Sequence, residues 1–105
     1  MNAQLLYIDV PPTVPEPAVQ TTNGQRIVIT SIRICAPTNN NGTYELHHVW
    51  KAELAASTSN ALAYNVSVNS KTTVEFLTHP IVLSPGESLW ISGSNVTVAV
   101  YGIIL

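Results

Sequence analysis

Ionised side chains are scarce in this chain of 105 residues: Lys, Arg, Asp and Glu make up 10% of it, against roughly 25% in ordinary soluble domains. The four basic residues, Arg26, Arg33, Lys51 and Lys71, are spread along the sequence without forming a stripe. No nucleic-acid partner is therefore expected. Cysteine occurs once, at Cys35, which rules out an internal disulfide and suits a reducing compartment. No apolar run is long enough to cross a membrane as a helix. The opening MNAQLLYIDVPP has no basic region and breaks at Asp9 and Pro11, so no secretion signal is expected there. Serine-hydrolase elbows, phosphate-binding loops, dinucleotide fingerprints and zinc-protease helices are all missing. The six carboxylates, Asp9, Glu16, Glu45, Glu53, Glu75 and Glu87, are scattered one per segment.

Apolar residues are present at an ordinary 46%, enough for one domain with a single core. With so few charges, the surface must be built of Asn, Ser and Thr. Lys and Glu are depleted at protein interfaces and enriched on surfaces that stay apart, so their shortage points to a homo-oligomer or larger assembly.

Two-residue alternation dominates the chain. Val96, Val98, Val100 and Ile104 share one parity and Asn95, Thr97, Ala99 and Tyr101 the other, the pattern of a half-buried strand. Ser88–Ile91 reads as a strand joined to it by a Ser92-Gly93-Ser94 hairpin with positive φ at the glycine. Ser84-Pro85-Gly86-Glu87 fits a type II turn. Arg26–Ala36 reads as the strongest internal strand, apolar on both faces early (Ile27 and Ile29 against Val28) and on one face late (Ile32, Ile34), as if it leaves a buried sheet. Further strands are expected at Leu5–Val10, Tyr44–Trp50, Tyr64–Val68, Thr72–Leu77 and Ile81–Leu83, with a loop containing about one helical turn over Lys51–Asn60. Seven or eight short strands imply an all-β, single-domain, two-sheet antiparallel sandwich of jelly-roll or immunoglobulin-like type.

Val10–Pro17 holds four prolines in eight residues, favouring a stiff extended arm. Residues 1–20 are accordingly read as a short strand plus arm and 21–105 as the sandwich. Val10, Pro11, Pro12, Val14, Pro15 and Pro17 are the candidate partner contacts, lying either over the sandwich edge or on a neighbour.

Chemistry is hard to find. His47 and His48 point to opposite faces of a strand and cannot chelate one ion; Glu45 and His47 share a face, but no metal-binding spacing completes them. Cys35 has only Arg33 near it to stabilise a thiolate, so a filler role is favoured over a nucleophile. No cofactor, metal or catalytic residue is assigned. Tyr44, Trp50, Tyr64 and Trp90 are candidate aromatic contacts: the two tryptophans serve core or interface packing, or, with the two tyrosines, stacking on sugar rings.

RIVITSIRICAPTNNNGTYELHHV followed by TTVEFLTHPIVLSPGESLWISG resembles small all-β structural proteins of tailed bacteriophage particles, which show a "VVTSIRICN" strand, a "TVEL…PIVL.PGDSL.V" pair and a short terminal strand. The likeness spans Arg26–Leu105; Glu87 stands where the pattern often has Asp, and Lys51–Asn60 replaces a Gly-rich loop. It implies a virion component assembled in the host cytoplasm: a capsid cement or decoration protein that binds as a trimer over junctions of the major capsid protein. The alternative is a tail- or fibre-associated module for host surface glycans.

Overall fold

The computed structural model describes residues 3–22, 24–50, 55–76 and 79–105. Among them are nine strands: Gln4–Asp9 (β1), Glu16–Gln20 (β2), Ile27–Ala36 (β3), Gly42–Val49 (β4), Ala61–Val68 (β5), Thr72–Glu75 (β6), Ile81–Leu83 (β7), Ser88–Ser94 (β8) and Thr97–Ile104 (β9). The first sheet runs β1-β9-β3-β6, with β7 also on β3; the second runs β2-β8-β4-β5. Every pairing is antiparallel.

The two sheets form an all-β sandwich, and their strand order decides between the two topologies the sequence left open. Consecutive strands change sheet at nearly every step, with β4–β5 the one hairpin among the described strands. That alternation is the jelly-roll arrangement, not the immunoglobulin one. β6 pairs with Arg33–Ala36 and β7 with Ile27–Ile29, so they act as two halves of one strand laid end to end along β3. Eight jelly-roll strands thus appear as nine segments.

The expected β8–β9 hairpin does not form. β8 extends to Ser94 in the second sheet while β9 belongs to the first, and the left-handed residue between them is Asn95 (φ 57), not Gly93. Gly93 serves a close approach instead: a Cβ there would stand 2.7 Å from Val96 Cγ2 and 2.9 Å from the Thr43 carbonyl oxygen. The type II turn at Ser84–Glu87 does form, with Gly86 at φ 88 and Glu87 N–H donating to Ser84 C=O at 3.0 Å.

β3 is also read differently by the structure. Its pairing with β9 shifts between Ile29 and Ser31, a bulge that reverses parity at Thr30. Ile27 and Ile29 before it, and Ile32, Ile34 and Ala36 after it, therefore all face the core and are buried. The strand does not emerge from a doubly covered sheet; one extra residue lets five apolar side chains share one face. Val19, Tyr44, Leu46, Ala63, Val68, Leu83, Leu89, Ile91, Val96, Val98 and Val100 complete the core.

The proline segment is ordered against its own chain. β1 pairs with β9 and β2 with β8, so residues 10–15 cross from one sheet to the other and strap the end of the sandwich. Pro11 is buried, and Pro12 C=O accepts a hydrogen bond from Gly93 N–H at 2.9 Å. Pro15 is half-buried, while Val10, Pro12, Val14 and Pro17 are exposed. β2 was unexpected because Pro17 lies within it, but it borders only β8, and an edge strand tolerates a missing N–H. Of the loop expected at 51–60, residues 51–54 lie outside the described residues, as does Leu77 of the expected Thr72–Leu77 strand; Thr58–Asn60 forms a 3-10 turn.

Candidate interaction surface

The outward face of the first sheet is assembled by register. Residues paired across strands share a face, so Val82, Val28 and Ile103 form one outward row, Leu5, Tyr101 and Ser31 a second, and Ile8, Ala99, Arg33 and Glu75 a third. Leu5 is 49% exposed, Ile8 58% and Val82 50%. The charges of the third row neutralise each other: Arg33 Nε donates to Glu75 Oε2 at 3.2 Å, and Ser31 Oγ donates to Glu75 Oε1 at 2.6 Å. The face is thus apolar and neutral-polar, interrupted by an internally compensated ion pair. Such a surface can lose water without leaving an isolated charge behind.

A second feature lies at the end of the sandwich where β4 finishes. His48 Nε2–H donates to Glu87 Oε1 at 2.8 Å, and the same oxygen accepts from Ser84 N–H at 3.0 Å. Burial pushes the Glu87 carboxyl upward, but the hydrogen bonds from His48 and Ser84 and the charge of His48 outweigh it and hold the group below its ordinary range. The single Thr21 hydroxyl proton is shared between the Ser84 and Glu87 carbonyls, 3.0 and 2.9 Å from Oγ1, and Oγ1 accepts from Gly86 N–H at 2.9 Å. The turn is thereby fixed to both β4 and the end of β2. Beside it a cavity of about 350 Å³ is lined by His48, Trp50, Ser59, Asn60, Ala61 and Leu62.

The four candidate aromatics separate. Tyr44 is 5% exposed and packs edge-to-face on Phe76 at 6.3 Å, so the expectation of a surface contact does not hold for it: its parity directs the ring into the core, and burial pushes its phenol upward. Trp90 is half-buried, its indole N–H donating to Ser88 Oγ at 2.8 Å. Trp50 and Tyr64 are 61% and 56% exposed.

His47 carries a network that the sequence concealed. It is 2% exposed, on the outward side of β4 beneath the chain at 55–60. Nδ1 lies 3.0 Å from both Ser57 C=O and Asn60 Oδ1, and Nε2 lies 3.2 Å from Glu45 Oε1. Asn60 is fixed in this orientation because its Oδ1 accepts from Ser57 N–H at 2.9 Å and its Nδ2 donates to Ala55 C=O at 3.1 Å. The available signal was Ser57-Thr58-Ser59-Asn60, a polar residue reaching back three positions as in a capping box.

Glu45 and His47 meet, yet the described residues contain no group of three or more His, Cys, Asp or Glu able to hold a metal. Cys35 is on the first sheet, paired with Thr97 and Thr73, while His47 and His48 are on the second. The topology separates the Cys35 thiol from these two imidazoles. No helix of the described chain is long and apolar enough to cross a membrane. In comparisons with known proteins, no family model, no curated protein and no solved structure matches this chain.

Proposed function

We propose that this chain is a non-enzymatic structural protein of a tailed-phage virion, of the capsid cement or decoration kind, packing against copies of itself and against the major capsid protein. The observation that carries this reading is the outward face of β1, β9, β3 and β7, where Leu5, Ile8 and Val82 stand exposed around a compensated Arg33–Glu75 pair. The slab measures 43 × 30 × 21 Å, and its two long dimensions provide more room than the roughly 800 Å² per partner that a standard specific interface buries. Low overall charge and the motif likeness described above support the same reading. A trimer is the expected assembly.

Light scattering on the purified chain tests the self-contact. A stable oligomer is expected, and Ile8→Lys combined with Val82→Lys should give monomers that melt within a few degrees of the parent, since both sites are exposed. Co-sedimentation with tailed-phage capsids tests the shell contact. A parent chain that is monomeric at high concentration and leaves capsids undecorated would overturn the reading.

A further inference from the structure

We propose that the cavity at the end of β4 binds one neutral sugar ring, stacked on the Trp50 indole and hydrogen-bonded by His48 and Ser59. This site is on the second sheet's side of the sandwich end and is independent of the face assigned above to assembly.

The chemistry of the lining selects the ligand. Trp50 supplies an aromatic surface that is 61% exposed, its ring 6.3 Å from that of His48 at an interplanar angle of 71°. Ala61 and Leu62, the latter 40% exposed, add an aliphatic wall. The polar groups differ in what they still offer. Asn60 is fully engaged with Ser57, His47 and Ala55. His48 has Nε2 committed to Glu87, which leaves Nδ1 as the ring atom still able to take a hydrogen-bond partner. Ser59 Oγ exchanges one hydrogen bond with Ser57 Oγ at 2.8 Å and retains capacity for a second partner.

A ring nitrogen and a hydroxyl beside an exposed indole suit a molecule with one apolar face and hydroxyl groups, able to donate or accept, around its rim, which describes a pyranose. The described lining residues are apolar or neutral-polar apart from the His48 imidazole. A purely aliphatic ligand would cover Nδ1 and the Ser59 hydroxyl without replacing their water. The volume is near the lower end of the roughly 300–1,000 Å³ found for small-molecule pockets, which fits a single ring. For a ligand of that size an affinity of about 1 mM is expected.

The probes are glucose, galactose, N-acetylglucosamine and rhamnose, titrated up to tens of millimolar into the ¹⁵N-labelled chain. At least one should move the Trp50 indole N–H resonance saturably while the Trp90 indole stays in place. Trp50→Ala should abolish the response, Trp50→Phe should retain it at about three- to tenfold weaker affinity, and Ser59→Ala should weaken it to a similar degree. A glycan array displaying the responding sugar separates a cell-surface source from a free saccharide, either of which supports the site. No movement of the Trp50 resonance with any of the four sugars would overturn the proposal. So would an undiminished response in folded Trp50→Ala, or a response confined to a peptide carrying the 10–17 sequence, which would mark a proline-binding surface instead.

Discussion

His47 is enclosed by acceptors. Ser57 C=O, Asn60 Oδ1 and Glu45 Oε1 all face its two ring nitrogens within 3.2 Å, and the ring is almost entirely buried. Removing a buried partner leaves the remaining groups dehydrated and unpaired, at a cost of about 1–3 kcal/mol. His47→Ala is therefore expected to lower stability by that amount, and Asn60→Ala by a similar one. Because both act through the same network, the double variant should lose clearly less than the two single losses combined, as read from urea midpoints. Full additivity would mean that the segment at 55–60 is held by something else. Glu87 gives a separate prediction. Its folded-state carboxyl is held below the value it has in the unfolded chain, so the contact with His48 and Ser84 contributes fully above the unfolded value and is lost as pH falls through the folded one. Glu87→Gln should thus show a shallower loss of stability on acidification than the parent, measured by thermal melts across the acid range.

At the scale of strands, what can be read from local sequence depends on whether parity runs unbroken. β9 was legible because Val96, Val98 and Val100 keep one side throughout and are all buried. β3 was not, because the bulge at Thr30 exists only relative to β9, and nothing within the ten residues of one strand states the register of its neighbour. The Ser92–Ser94 stretch misled for a related reason: its small residues suit a tight turn as well as the crowded crossing beneath Val96. The bulge is testable by deletion. Without Thr30, Ile29 would still face Gly102 and Ser31 would still face Tyr101, so all five core-facing residues keep their side. That deletion should yield a folded chain with a loss of about 1 kcal/mol, or roughly 4–8 °C in Tm. Deleting Arg33 instead would turn Ile34 and Ala36 outward and should abolish cooperative unfolding. Equal damage from the two deletions would contradict the parity account.

For the whole molecule, the strap at residues 10–15 and the cavity beside Trp50 share a history of assembly from distant pieces. The cavity joins the end of β4 to residues 59–62 and, through His48, to the turn at Glu87; sequence alone offered the indole as a contact but not the groups around it. The outward face of the first sheet is likewise composite, drawn from β1, β3, β7 and β9. Its character sets the expected response of assembly to salt. Contacts between opposite charges weaken as ionic strength rises and the screening length contracts from about 10 Å at 0.1 M to about 3 Å at 1 M. Apolar contacts do not, and sulfate strengthens them by its exclusion from protein surfaces. Because Arg33 and Glu75 already satisfy each other within one chain, added salt has little intermolecular attraction to screen. The oligomer mass measured by light scattering should therefore hold steady from dilute buffer to molar sodium chloride and rise or persist in ammonium sulfate. A mass that falls with sodium chloride would locate the contact on charged residues elsewhere and remove this face from the assembly.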